Sequence, residues 1–310
     1  MQVETELAKF TPEKDMLLTI GVFDGVHLGH RHLIARLTGL ARQQGLASGA
    51  ITFSRHPREV LAPQTRLPFL TDIERRIELL KSEDVDEVIP LSFTPELARL
   101  SPEEFLGLLK KHLRMRGLVV GPDFALGKNR EGNTDALHRL GEEMGFSLTV
   151  VPPLTIDGEV VSSTAIRKAL AEGDARRAQK LLGQPFSLHG PVVKGDRRGK
   201  ELGFPTANLE TGAEQALPAD GVYTSRAFID AQAYPAMTNI GLHPTFGSNK
   251  RLVEVYLMDY RGDLYGRELT IDIIERLRGE IKFDTPEELK KQIAEDVKRG
   301  KATLEIRGAS

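Results

Sequence analysis

The chain has 310 residues, 40% hydrophobic and 28% charged, with 42 basic against 44 acidic side chains and a formal net charge of -2. That length predicts two domains at roughly 150 residues each, and the composition is that of an ordinary globular protein. Near-neutral charge and the absence of Trp argue against a nucleic-acid partner, and the absence of Cys excludes disulfides, thiolate metal sites and thiol nucleophiles. Residues 1–15 carry Glu4, Glu6, Lys9, Glu13 and Lys14, unlike a secretory signal. No stretch approaches the roughly 20 apolar residues of a membrane helix. The expected location is cytoplasmic, with no membrane partner.

Short apolar runs then alternate with helical periodicity. A strand over 16–20 is followed by helix-spaced Leu33, Ile34, Leu37, Leu40 and Ala41, then by a strand over 50–53. A helix over 72–80 and a strand over 85–91 come next. Ser101-Pro102-Glu103-Glu104 carries the capping signature of a new helix. A strand over 118–120, a helix over 135–144 and a strand over 148–151 complete an α/β pattern, predicting an open, mainly parallel sheet with helices on both faces. Ligands in such sheets bind at the C-terminal ends of the strands.

Beyond Gly183-Gln184-Pro185 the character changes. Runs over 222–229, 237–240, 252–257 and 269–274 are rich in β-branched residues and separated by Gly, Pro and Asp, which predicts a small antiparallel β-barrel. A final helix opens at Thr285-Pro286-Glu287-Glu288, with Leu289, Ile293 and Val297 on one face.

The first chemically suggestive segment is Gly21-Val22-Phe23-Asp24-Gly25-Val26-His27-Leu28-Gly29-His30, where the first strand gives way to the first helix. Gly25 and Gly29 allow close approach of backbone amides to a phosphate, and His27 and His30 bracket the helix mouth. Taken alone, His-x-Gly-His also fits a turn with two surface histidines. Ser162-Ser163-Thr164-Ala165-Ile166-Arg167 opens a second helix with hydroxyls at its start and an arginine one turn in, suited to an anion or simply a good cap. In the second half, Lys194-Gly195-Asp196-Arg197-Arg198-Gly199-Lys200 precedes Gly203-Phe204-Pro205-Thr206-Ala207-Asn208. The Thr hydroxyl and Asn carbonyl oxygens suit Mg²⁺, whereas the basic run alone reads equally as a solvated loop.

Segments 21–30 and 162–167 together resemble the nucleotidylyltransferase signature. With 52–57, Leu70-Thr71, Arg76 and 120–124, and then 203–208, 220–223, Asn239-Ile240-Gly241, Pro244-Thr245-Phe246, 253–255, 264–266 and Leu277-Arg278, nearly the whole chain resembles the bacterial bifunctional riboflavin kinase/FAD synthetase family. The resemblance implies a nucleotidylyltransferase, Rossmann-like domain over 1–183 and a riboflavin-kinase-like barrel with a C-terminal helix over 184–310. It implies ATP-dependent conversion of riboflavin to FMN and of FMN to FAD, with Mg²⁺ and with small molecules as the partners. By that likeness His27, His30 and Glu254 are catalytic, and Gly21, Phe23, Asp24, Gly25, Gly29, Ser163, Thr164, Arg167, Gly195 and Gly203 bind ATP or its phosphates. His56, Pro57, Asp123 and Phe124 lie at the flavin, and Thr206 and Asn208 hold the metal.

Val22, Arg55, Leu126, His243 and Tyr256 depart from the commoner family residues, and Leu126 is expected to loosen flavin stacking. Two other readings compete: a different phosphorylated acceptor such as nicotinamide mononucleotide or a phosphopantetheine, and a flavin-sensing protein without turnover. The kinase-like second half argues against the first. Retention of His27, His30, Thr206, Asn208 and Glu254 as a set argues against the second.

Overall fold

The computed structural model describes residues 1–308 except 63, 65, 66, 196–201, 231 and 243–250. Expectations on Asp196, Arg197, Arg198, Gly199, Lys200, His243, Pro244, Thr245 and Phe246 therefore lie outside the described residues. Contacts divide the chain into two compact units, Met1–Ser163 and Thr164–Ser310.

The first unit runs α1 (Gln2–Leu7), β1 (Met16–Ile20), α2 (Leu28–Gln44), β2 (Ala47–Phe53), α3 (Pro57–Leu61), α4 (Ile73–Lys81), β3 (Glu87–Leu91), α5 (Pro102–Leu113) and β4 (Met115–Val120). The hairpin β5 (Ala125–Leu126) and β6 (Gly132–Asn133) leads into α6 (Thr134–Met144) and β7 (Ser147–Val150), and a second hairpin pairs β8 (Thr155–Ile156) with β9 (Glu159–Val160). The five-stranded sheet has the order β3-β2-β1-β4-β7, every pair parallel. Alternate residues of β1 serve opposite faces. Met16, Leu18 and Ile20 join Leu7, Phe105, Leu109 and Leu137 in one core, whereas Leu17 packs with Leu37 and Ala41 of α2. The Ser101/Glu104 capping box forms as its sequence predicts. Chain order reverses at β1, whose neighbours β2 and β4 leave in opposite directions, so the crevice at its C-terminal end is the natural ligand position.

The second unit opens with α7 (Ser163–Glu172), only Ser163 of which is assigned to the first, and α8 (Ala175–Leu182). Next come β10 (Phe186–Val193), β11 (Ala207–Leu209), β12 (Gly221–Ile229), β13 (Gln232–Leu242), β14 (Arg251–Leu257), β15 (Glu268–Arg278) and α9 (Pro286–Gly308). The six strands close into an antiparallel barrel in the order β10-β11-β14-β13-β12-β15. Val253, Val255 and Leu257 are buried while Leu252, Glu254 and Tyr256 are only partly so, as the period-2 pattern of β14 dictates. An ion pair of 2.8 Å between Arg278 and the buried Asp296 fastens α9 to β15. Among the described residues, no helix is long and apolar enough to cross a membrane.

The sequence patterns anticipate the long strands and helices; they do not anticipate α1, α3, β11 or the two small hairpins, which are too short to express a period, nor the eight-residue α8 and β10, where Gly190-Pro191 interrupts the apolar alternation of β10. Leu126 is 7% exposed and belongs to the main core.

Candidate functional site

The turn after β1 is tightly wound. Phe23, Gly25 and Val26 have φ of 52°, 82° and 38°, a left-handed run that costs a bulky or β-branched residue energy wherever it occurs. It is held from within. Asp24 is 2% exposed, and its carboxylate accepts from the Leu70 amide at 3.0 Å and the Thr71 amide at 3.1 Å and faces the Arg76 guanidinium at 3.7 Å. Thr71 Oγ1 in turn accepts from the Gly25 amide at 3.0 Å. Arg76 donates to the carbonyls of Phe53 at 2.8 Å and Thr71 at 3.0 Å, so the ends of β1 and β2 and the start of α4 share one buried ion-paired knot. What Asp24 offers a phosphate is therefore a fixed loop; its side chain is turned into the protein. Phe23 is likewise buried, with its ring edge-on to His30 at 5.2 Å.

At the mouth of α2, His27 is the N-cap: its Nδ1 accepts from the His30 amide at 3.3 Å. A nitrogen that accepts is unprotonated, so the proton of the neutral ring sits on Nε2. The two imidazoles stack at 3.6 Å between centroids and 17° between planes. Burial, then His27 and Arg76, hold the His30 imidazole well below its usual pKa, and its buried Nδ1 has no hydrogen-bond partner. His30 is thus held towards its uncharged form, stacked on His27 at a helix N-terminus. Gly29 permits it: a Cβ there would lie 2.9 Å from the Val161 carbonyl oxygen and 3.2 Å from the His27 ring. A Cβ on Gly21 would meet the Phe23 ring at 3.0 Å. Ser163 Oγ donates to the Asp24 carbonyl at 3.0 Å and closes the circle. Thr164 and Arg167 follow on α7, Thr164 exposed.

His56 and Pro57 are the N-cap and first residue of α3, His56 Nδ1 accepting from the Arg58 amide at 3.1 Å. The Phe69 ring lies 6.4 Å from His56 and 5.2 Å from the Arg76 guanidinium, linking α3 to the knot. Asp123 and Phe124 follow the C-terminal end of β4, next to β1. Asp123 is exposed, its carbonyl accepting from Arg130 at 3.0 Å, and Phe124 packs partly against the core.

In the barrel, Asn208, Glu254 and Asn239 are direct cross-strand neighbours on β11, β14 and β13, all on the face opposite the buried residues. Asn239 Nδ2 lies 3.5 Å from Glu254 Oε2. Gly195 backs onto Asn208 so closely that a Cβ would come within 2.0 Å of its amide nitrogen. Thr206 is partly exposed one residue before β11, and Gly203, at φ 88°, turns the chain into it. Asn208 and Glu254 are thus cross-strand neighbours, with Thr206 two residues before Asn208, and a hydroxyl, an amide oxygen and a carboxylate are a donor set whose chemistry fits Mg²⁺. Sequence reasoning gave no role to Thr71, Arg76, Phe204 or Asn239. The signal for Arg76 was available, since it shares the buried face of α4 with Leu79 and Leu80.

An α/β domain with paired imidazoles at the mouth of α2, followed by a barrel carrying an Asn–Glu–Asn row, fits the class of two-domain transferases that the sequence resembles. A family profile described as FAD synthetase matches residues 9–165, and one described as riboflavin kinase matches 182–304. The chain is 39% identical over 305 residues to a bifunctional riboflavin kinase/FMN adenylyltransferase of Pseudomonas fluorescens, covering 97% of both chains. It is 38% identical over 287 residues to the enzyme of that description from Escherichia coli K12, covering 92% of this chain and 91% of that one. A Streptococcus pneumoniae crystal structure described as a macrolide-efflux protein superposes with a TM-score of 0.89 at 30% identity over 97% of each chain. The chain belongs to the bifunctional riboflavin kinase/FMN adenylyltransferase family: it phosphorylates riboflavin with ATP and adenylylates the resulting FMN to FAD.

Proposed function

We propose that His27 and His30 carry the adenylyl transfer and that Glu254, Thr206 and Asn208 carry the phosphorylation. The observation that supports the first assignment most is the stacked imidazole pair at the mouth of α2, with His27 as its N-cap. In adenylyl transfer a terminal phosphate oxygen of FMN attacks the α-phosphorus of ATP, the bond to the β-phosphate breaks, and pyrophosphate leaves. No protein nucleophile is required. His27 Nε2–H and the His30 ring donate to the ATP phosphates as charge shifts towards the leaving group, acting by position and preorganisation. Gly21, Gly25 and Gly29 let the ligand approach the turn that Phe23 and Asp24 brace. Ser163, Thr164 and Arg167 hold the departing β,γ-phosphates. His56, Pro57, Asp123 and Phe124 border the flavin.

In the barrel, Glu254 takes the proton from the ribityl 5′-hydroxyl as that oxygen attacks the γ-phosphorus of ATP and ADP leaves. Thr206 and Asn208 are the residues that would hold Mg²⁺; Gly195 leaves room for the Asn208 amide, Gly203 makes the turn at φ 88°, and both lie along the phosphates. Bound with ATP, the metal supplies charge neutralisation along the phosphate chain. We place the functional boundary between Gly183 and Gln184, where the character of the sequence changes; the profile matches leave 166–181 unassigned, and the contacts divide the chain earlier, between Ser163 and Thr164. Residues 184–310 expressed alone should then still phosphorylate riboflavin. Use of ATP in both steps supports a cytoplasmic location, which cell fractionation tests. The efflux in the description of the streptococcal protein is not carried to this chain, since no helix among the described residues could cross a membrane and both flavin-enzyme profiles match.

The deciding experiment incubates the purified protein with riboflavin and Mg-ATP and follows riboflavin, FMN and FAD by chromatography, for the wild type and for His30→Ala and Glu254→Gln. FAD production blocked at FMN in the first variant and at riboflavin in the second supports both assignments. Loss of both activities in either variant overturns the division of labour.

A further inference from the structure

The strand that carries Asn208 is held unusually lightly. β11 has three residues, paired with β14 at Ala207, Asn208 and Leu209 and with β10 only at Asn208 and Leu209. Its N-terminal side, where Thr206 lies, has left the ladder altogether. Yet phosphoryl transfer requires the Thr206 and Asn208 oxygens to hold a fixed position against Glu254. Something beyond backbone pairing must fix that turn.

The side chains that meet there are Phe204 and Tyr256. Tyr256 is two residues beyond Glu254 on β14 and shares its face, since Val255 between them is buried. Phe204 is two residues before Thr206. Their rings meet edge to face at 5.4 Å between centroids and 84° between planes, the geometry aromatic quadrupoles favour. The contact spans the Pro205 turn and joins the segment bearing Thr206 and Asn208 to the strand bearing Glu254. Pro205 fixes its own φ, so a restraint at Phe204 passes to Thr206 with little slack.

We infer that Phe204 and Tyr256 are positioning residues for riboflavin phosphorylation, an aromatic latch that holds the Thr206–Asn208 segment in register with Glu254. The inference rests on the assignment of those three residues to the kinase reaction. It also gives a purpose to the tyrosine at position 256: the latch uses its ring, so the hydroxyl is dispensable.

The test compares Phe204→Leu, Tyr256→Leu, their double variant, Tyr256→Phe and Glu254→Gln in the full chain. Each leucine variant should lower kcat for FMN formation about three- to tenfold, the range one edge-to-face pair supplies, with KM for riboflavin little changed. The double variant should be no worse than either single, and Tyr256→Phe should stay within about twofold of wild type. Without any metal or substrate, hydrogen exchange at the amides of Ala207, Asn208 and Leu209 should quicken by a similar factor in the leucine variants, while FAD formation from supplied FMN is unchanged. Additive losses, a Tyr256→Phe defect equal to that of Tyr256→Leu, or unaltered exchange at those amides would each overturn the latch. Full kinase activity in Glu254→Gln would instead remove the assignment on which it rests, separating the two failures.

Discussion

One methyl group tests the first site cleanly, because α2 contains two glycines in opposite situations. A Cβ on Gly39 meets nothing within 4 Å, whereas on Gly29 it lies 2.9 Å from the Val161 carbonyl oxygen, against an ordinary contact of 3.4 Å, and 3.2 Å from two atoms of the His27 ring. Gly39→Ala should stabilise the protein by about 0.5–1 kcal/mol, the helix-propensity difference, and leave both activities intact. Gly29→Ala gains the same propensity but must open a shortfall of about half an ångström against the Val161 backbone, which no side-chain rotation relieves, and it also crowds the His27 ring, which can rotate. That ring both caps α2 and stacks on His30, so its displacement moves both donors. A misplacement approaching 1 Å costs on the order of 100-fold in rate, so Gly29→Ala should lose roughly 10- to 100-fold in adenylyl transfer, with a lowered thermal midpoint from the backbone contact. FAD formation from supplied FMN and ATP, measured beside riboflavin phosphorylation, reads the effect. Wild-type FAD formation in Gly29→Ala, or an equal loss in Gly39→Ala, would refute the reasoning.

Replacing His30 by Ala should lower adenylyl transfer by about two to three orders of magnitude, as for one lost oxyanion donor, while riboflavin phosphorylation continues. Glu254→Gln should abolish FMN formation yet leave FAD formation from supplied FMN, checked by product chromatography. Arg76→Leu strands a buried carboxylate and should cost about 3–5 kcal/mol in the first unit, seen as a lowered urea midpoint for loss of adenylyl transfer. Because the His30 pKa is lowered on folding, the unfolded chain binds the extra proton first. Its contribution is therefore neutral above the ordinary histidine value of about 6.5 and destabilising as pH falls through and below it. His30→Gln should show a smaller acid-side fall in thermal midpoint than the wild type.

The alternation of strands and helices was legible because β1, α2, β2, α5 and α6 are long enough to display a period, and Ser101 and Glu104 mark a helix start by chemistry alone. The histidines were legible because both ends of the β1–α2 turn are fixed by recognisable patterns. The knot at Asp24 was not: its partners Leu70, Thr71 and Arg76 lie some 46–52 positions away, and a carboxylate in a phosphate loop gives no local sign that it faces inward. Asn239 and Glu254 are 15 residues apart and become neighbours only through strand register, which a sequence expresses weakly where one face of a barrel is half exposed.

The surroundings of Asp24 and of Glu254 differ, and with them the tasks proposed for the two carboxylates. Asp24 receives the Leu70 and Thr71 amides and the Thr71 hydroxyl, and faces a guanidinium, all of them donors. Adding a proton there would replace an accepted bond with a donor facing donors, so Asp24 serves as an anchor. Glu254, half exposed on the outer barrel face, has one amide at 3.5 Å across the sheet, near the limit of a hydrogen bond, and lies beside Asn208. It retains acceptor capacity for a substrate hydroxyl. Asp24→Asn should therefore damage folding of the first unit before chemistry, whereas Glu254→Gln, which is nearly isosteric, should damage chemistry with folding intact. Thermal midpoints measured beside the two activities distinguish these outcomes, and a Glu254→Gln protein that loses stability as Asp24→Asn does would mean that the barrel carboxylate, too, is structural.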